Sequence, residues 1–271
     1  MIIKTKDYTP VFITEHKENG ITIFNDLVKL DRSNLICIAA RPGMGKTSLA
    51  LHMALEYAKK CDRTIYIFTL EMSAKKIYQR MICYLSEIDS HELDNNSLSN
   101  EQKEAVEQAE EYLKTLNIVI DDEPMLSVEK IEERLEKENN LGLVIIDYLE
   151  LLTVNGKFDN RVQELSLISR NLHILMKRKN VPLIFIKQLL RKIEWREDKR
   201  PRLIDIRDFG CIEQDSDTVI FIYRNEYYHD ISKDCSQAEI IIAKNRYDCV
   251  DTVFLKWQGR YRKFSEVDKE V

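Results

Sequence analysis

Glycine and proline are scarce, seven and five among 271 residues, and no stretch is compositionally biased, which excludes a collagen-like or low-complexity chain. No apolar run approaches the length of a membrane-spanning helix, and the opening MIIKTKDYTP lacks the long apolar core of a signal peptide. Both absences predict a cytoplasmic chain that meets no membrane. The six cysteines (Cys37, Cys61, Cys83, Cys211, Cys235 and Cys249) form no C-x-x-C pair and no metal-ligand spacing, so they read as small apolar residues in a reducing compartment. An excess of positive charge is missing as well: 41 Lys and Arg stand against 46 Asp and Glu, a net charge of −5. That balance excludes a wholesale basic surface for nucleic acid but leaves room for a few basic loops lining one channel.

What is present is 44% hydrophobic and 32% charged residues, enough for one large domain with a sizeable core. The chain centres on LICIAARPGMGKTSLALHM, Leu35 to Met53. Its apolar run from Leu35 to Ala40 predicts a buried strand, Arg41 to Gly45 a tight loop, and Lys46 onward an apolar-periodic helix. Glycines let backbone N–H groups converge on a phosphate with no Cβ in the way, and the helix N-terminus adds about half a positive charge. Lys46 is placed for the β- and γ-phosphates and Thr47 for Mg²⁺. The usual G-x-x-x-x-G-K-[ST] pattern has a glycine where this chain has Ala40.

Residues 1–19 are polar and read as a loosely held lead-in, with residues 20–271 as the domain proper. Ile21, Ile23, Phe24, Leu27 and Leu30 suit a short element beside the first strand. TIYIFTLE predicts a strand ending at Glu71, after which Ser73 caps a helix. Ser99 and Gln102 have capping-box spacing at the start of a very acidic helix with a solvated outer face. NIVIDD, a helix from Val128 to about Asn140 capped by Ser127, and the continuous run LGLVIID follow, and a run of that kind suits a central parallel strand. Asn160 to Asn180 is a helix with Val162, Leu165, Ile168, Leu172 and Leu175 at helical spacing, and VPLIFIKQL is a strand. The repeated β–α order predicts an α/β fold with a mostly parallel central sheet flanked by helices. Leu190 to Phe209, densely basic and aperiodic, reads as a long loop. TVIFIYR, AEIIIAKNR and TVFLKWQ, with no helix between them, read as antiparallel strands added at the C-terminal end.

Ligands of open α/β sheets sit at the carboxyl ends of the strands, where this chain carries Glu71, Asp147 and Gln188. Asp147 suits a carboxylate holding Mg²⁺ through water, Glu71 a base polarising the attacking water, and Gln188 a phosphate sensor. Polar residues at strand ends also serve simply as solvated turn starters.

Six blocks in order, RPGMGKT, TLEMS, LVIIDYLELL, NRVQELSLISRNL, DKRPRLIDIRD…IEQDSDTVIFIYRNEYY and AEIIIAKNR, resemble the ATPase domain of DnaB-type replicative helicases over about Gly20 to Phe264. The resemblance implies a RecA-like P-loop NTPase fold, ATP and Mg²⁺ as cofactors, and a homo-oligomeric, hexameric ring moving along single-stranded DNA. A helicase loader or other replication proteins are implied partners. The family, too, uses alanine at the Ala40 position. The resemblance implies nucleotide binding by Arg41, Pro42, Gly43, Met44, Gly45, Lys46, Thr47, Ser48 and Arg80, metal binding by Thr47 and Asp147, and catalysis by Glu71, Lys46 and Gln188. Lys244 and Arg246 resemble the pair that reaches the neighbouring subunit's nucleotide, where an arginine supplied in trans cancels charge on the transferring group. Arg207, Asp208 and Gly210 match a DNA-holding pore loop, and a cation with backbone N–H groups suits sequence-blind phosphate binding. Phe209 stands ready to stack on a base or merely to pack. Lys199 and Arg200, with Lys192, Arg196 and Arg202, form a basic run that is either a second DNA contact or a solvated face.

The chain departs from this pattern in two places. Nothing precedes Gly20 that matches the family's N-terminal collar, and Tyr247-Asp248-Cys249-Val250 replaces a glycine-bearing hairpin turn. These departures keep a second expectation open, that of a DnaB-like regulatory or ring-joining subunit that binds nucleotide without unwinding. A RecA-like ATPase of the recombination or clock type is a third, against which IEQDSD and IIDYLELL argue.

Overall fold

An apolar strand followed by an amphipathic helix, repeated, leaves a parallel sheet covered on both faces. The computed structural model describes residues 2–4, 28, 30, 33–95, 97–207, 211–228 and 237–267. Its elements are β1 (Ile2–Lys4), β2 (Leu35–Ala40), α1 (Lys46–Lys60), β3 (Thr64–Thr69), α2 (Ala74–Ser86), α3 (Ser90–Asp94), α4 (Asn100–Thr115), β4 (Ile118–Asp121), α5 (Val128–Glu136), β5 (Leu141–Asp147), α6 (Arg161–Lys179) and β6 (Leu183–Gln188). After them come the short helices α7 (Ile204–Arg207) and α8 (Ile212–Asp215), then β7 (Thr218–Arg224), β8 (Gln237–Asn245), β9 (Asp251–Gln258) and β10 (Lys263–Glu266).

All ten of these strands join one sheet in the order β1-β4-β3-β5-β6-β2-β7-β8-β9-β10. From β4 to β7 neighbours run parallel, and β8, β9 and β10 continue antiparallel. The fold is therefore the expected α/β, RecA-like arrangement with antiparallel strands at its C-terminal end. Side chains alternate across the sheet. Ile36 and Ile38 pack with Leu49 and Met53 of α1 on one face, and Leu35 and Cys37 with Leu165, Ile168 and Leu172 of α6 on the other. Ser48 through Leu55 are buried in succession, so this stretch of α1 is enclosed on every side, and its last turn reaches solvent.

Capping chemistry is where it was expected at Ser73, Ser99 and Ser127, and Asn160 adds a cap that the sequence did not single out. Ser73 accepts from the Lys76 amide, Ser127 from that of Lys130, Asn160 from that of Gln163, and Ser99 with Gln102 completes a reciprocal capping box.

Several readings need correction. TVIFIYR is not simply an antiparallel addition: β7 pairs parallel with β2 and antiparallel with β8, making it the joint between the two halves of the sheet. Ile2–Lys4 is not loose lead-in but an edge strand antiparallel to β4. The acidic α4 does present a solvated outer face, and it docks through a seam of Ala109 and Leu113. Val162 is 41% exposed, outside the buried stripe of α6. The basic stretch after Leu190 carries a 3₁₀ turn at Arg191–Trp195 as well as α7. Ile21, Ile23, Phe24 and Leu27 lie outside the described residues, whereas Leu30 packs on the core.

Candidate nucleotide site

The phosphate loop leaves β2 at its carboxyl end and turns into α1 through two glycines in the left-handed region, Gly43 at φ 75° and Gly45 at φ 101°. Gly45 is the N-cap and offers no side chain to the first turn, so the N–H groups there face the cleft without a built-in acceptor. A Cβ on Gly45 would approach Phe264 Cζ to 2.8 Å and Trp257 Cζ3 to 3.1 Å, so β9 and β10 form a floor directly beneath the loop.

One pocket at the carboxyl ends of the strands is lined by Pro42, Gly43, Gly45, Lys46, Thr47, Ser48, Glu71, Met72, Arg80, Asp147, Tyr148, Gln188 and Arg262. Within it the Thr47 hydroxyl donates to Asp147 Oδ2 at 2.7 Å, and Lys46 Nζ donates to the Arg41 carbonyl at 3.2 Å. Asp147 is 3% exposed at the end of β5. Burial pushes its carboxyl up, the Thr47 hydrogen bond opposes that push, and the neighbouring Glu71 charge adds to it. Burial likewise holds Lys46 below its ordinary value while Asp147, Glu150 and Glu71 pull it back. Glu71 lies two residues beyond β3 rather than at its last position, and both it and Gln188 are exposed.

The loop is braced from outside. Arg41 does not line the pocket; its side chain, buried, donates to Glu194 at 2.7 Å and to the Leu189 carbonyl at 2.6 Å. Met44 is also turned into the core. Arg224 donates to the Gly43 carbonyl at 3.1 Å. Glu150, in the 3₁₀ turn after β5, accepts from the buried Lys187 ammonium and from the Gln188 amide at 3.3 Å, tying the ends of β5 and β6 together.

The other candidates lie elsewhere. Lys244 donates to the carbonyls of Glu213 (2.7 Å) and Ser216 (2.6 Å), and Arg246 pairs with Asp217 at 2.7 Å. Asp217 in turn accepts from the Leu35 amide at 3.1 Å, so Arg246 sits at the amino end of β2, with the phosphate loop at the other. Six residues of strand separate them, roughly 20 Å. Arg200 forms a two-pronged pair with Glu239 and lies 4.8 Å over the Tyr223 ring, Arg196 pairs with Asp205, and Arg202 with Asp198. Lys199 lies 5.6 Å over the Tyr228 ring. Asp208, Phe209 and Gly210, and the side chain of Arg207, fall outside the described residues.

Sequence reasoning missed Met72, Tyr148 and Arg262 as pocket residues. Tyr148 had a signal, its place directly after Asp147; Arg262 had none. Among the described residues no group of three or more His, Cys, Asp or Glu side chains is arranged to hold a metal. A Thr47 hydroxyl hydrogen-bonded to a carboxylate is nevertheless an oxygen-only donor set, which suits Mg²⁺ completed by water and phosphate.

The family model described as "DnaB-like helicase C terminal domain" matches residues 19–266. The replicative DNA helicase DnaB of Geobacillus stearothermophilus is 42% identical over 242 residues, covering 88% of this chain and 53% of that protein. The replicative DNA helicase DnaC of Bacillus subtilis (strain 168) is 41% identical with the same coverage, so the chain spans about half the length of these curated relatives. Among solved structures, one described as an ATPase domain superposes with a TM-score of 0.85 at 33% identity, over 92% of this chain and 90% of that one. A DnaB-like replicative helicase studied with primase gives 0.86 at 33% identity, over 92% and 61%.

Proposed function

The chain belongs to the DnaB-like helicase C-terminal domain family, and from that premise we propose that it is an Mg-ATP-hydrolysing motor domain that moves on single-stranded DNA within a six-membered ring of like subunits. The carrying observation is that Lys46, Thr47, Glu71, Asp147 and Gln188 line one pocket while Arg246 stands at the far end of the same strands. An arginine side chain cannot span that distance, so its partner nucleotide belongs to another copy.

In this reading the phosphate loop amides and Lys46 bind the β- and γ-phosphates, and Arg80 adds a contact from α2. Thr47 and Asp147 would hold Mg²⁺, which would supply positive charge to offset that of the phosphates. Glu71, solvent-accessible and close to Asp147, orients the attacking water and takes its proton. Gln188 touches the γ-phosphate and reports its loss along β6. Lys244 and Arg246 act on the adjoining copy's nucleotide. DNA phosphates are met by Arg207, Asp208 and Gly210, with Lys199 and Arg200 on the flanking segment; Arg200 exchanges Glu239 for phosphate when it does so. Residues 20–271 form the motor, to whose sheet Ile2–Lys4 adds an edge strand. It works in the cytoplasm with a loader or other replication proteins.

The test is ATP turnover with and without single-stranded DNA, together with particle mass. DNA-stimulated turnover by a six-fold particle supports the proposal. A nucleotide-bound monomer that never turns over would favour the regulatory-subunit reading.

A further inference from the structure

Arg262 lines the pocket that holds Lys46 and Arg80, although no sequence pattern singles it out. It closes the turn between β9 and β10, in which the Tyr261 amide donates to the Gln258 carbonyl at 3.1 Å and its own amide to the Gly259 carbonyl at 3.3 Å. Its φ is 54°, a left-handed conformation that residues with a Cβ adopt rarely and at a cost; such outliers gather at ligand clamps. Two residues on, Phe264 is fully buried beneath Gly45. The turn is thereby fixed to the floor of the phosphate loop.

Arg262 shares the cleft with the cations of Lys46 and Arg80 and with the carboxylates of Glu71 and Asp147. Among the described residues no carboxylate pairs with Arg262, and Arg80 Nε is buried without a hydrogen-bond partner. Burial, followed by the Arg262 charge, works against the ionised form of Arg80, while the Asp147 and Glu71 charges favour it. Two guanidiniums and an ammonium against the two carboxylates Glu71 and Asp147 leave the partly desolvated cleft with an excess of positive charge, which suits an anion of several charges.

We infer that Arg262 is a second arginine gripping the phosphate chain of the bound nucleotide, supplied in cis by the β9–β10 turn and acting beside Arg80. The inference rests on the nucleotide reading above, and it gives the β9–β10 turn a direct part in binding in addition to its packing role. A turn joined to both the loop floor and the phosphates registers whether the cleft is filled.

The test is the dissociation constant of fluorescent ADP and of a slowly hydrolysed fluorescent ATP analogue, with Mg²⁺, for the full chain and for Arg262→Gly, Arg262→Gln and Lys46→Ala. Glycine tolerates the left-handed turn, and glutamine keeps bulk without charge. Both Arg262 variants are expected to bind at least one of the two nucleotides about tenfold more weakly, the scale of a lost charge-assisted hydrogen bond. Unchanged affinity for both nucleotides in the glycine variant, or a loss in the glycine variant that glutamine fully restores, overturns the inference. If Lys46→Ala also binds normally, it is the nucleotide reading itself that fails.

Discussion

Lys187, with no exposed side-chain surface, is ion-paired to Glu150 at the carboxyl end of the sheet, one residue before Gln188. Removing the carboxylate takes away the ion-pair partner of a buried ammonium, so Glu150→Ala is expected to destabilise the fold by about 3 kcal/mol. Replacing the pair by Glu150→Leu with Lys187→Met is expected to cost less than about 1 kcal/mol, because two apolar groups need no partner. Urea unfolding of the three proteins checks the order; a double variant weaker than Glu150→Ala would contradict it.

His52 lies in α1 with no solvent exposure, its Nδ1 2.5 Å from the Tyr84 hydroxyl. Burial, then the charges of Lys59 and Lys263, hold its imidazole down at about 3 against an ordinary 6.5. Between those values the unfolded chain binds a proton that the folded chain refuses. The stability this group contributes is therefore complete above about pH 6.5 and is lost as pH falls toward 3, by up to about 1.4 kcal/mol per unit. Urea midpoints at pH 7.5, 6 and 5 should drop accordingly, and His52→Gln should flatten that slope.

Gly45 and Gly43 both have positive φ, yet their surroundings differ. An alanine at 45 meets Phe264 and Trp257 at once, whereas at 43 the nearest atom is Tyr227 Cε2 at 3.4 Å. Gly43→Ala is expected to cost roughly 1–2 kcal/mol from the backbone alone. Gly45→Ala adds ring displacement and should be worse in both thermal stability and nucleotide affinity. Equal losses would mean that the floor yields freely.

Lys46→Ala and Arg246→Ala are each expected to abolish DNA-stimulated turnover, because one empties the pocket and the other removes the group offered to a neighbour. Mixed in equal amounts, the two proteins should recover a measurable fraction of it. A mixture as inactive as its components would contradict the trans arrangement.

Glu71→Gln keeps the shape of the pocket rim and removes the group proposed as the base. Turnover should fall by about a hundredfold or more, with nucleotide affinity little changed. Parallel losses in affinity and turnover would reassign Glu71 to binding.

Much of this was legible in the sequence because its causes are local. Ser73, Ser99 and Ser127 cap helices through contacts three residues away, and the Gly43–Gly45 loop follows from glycine geometry between a strand and a helix. Asp147 and Gln188 were found because a strand's end fixes where its last side chain goes. The direction of β7 was not legible: it depends on a crossover carrying only two short helices, and strand composition is the same in either sense. Nor were Arg41–Glu194 and Arg200–Glu239, partners 153 and 39 residues apart, or Arg262, whose relation to α1 exists only once β10 has folded under the loop. Ile2–Lys4 is too short for any periodicity to register.

Asp217 anchors Arg246 at one pole of β2 while the phosphate loop occupies the other. If the one must meet the other, copies have to line up nose to tail, and no back-to-back couple satisfies both faces. Repeating that join yields a closed circle when the rotation per step divides a full turn, and otherwise a climbing spiral.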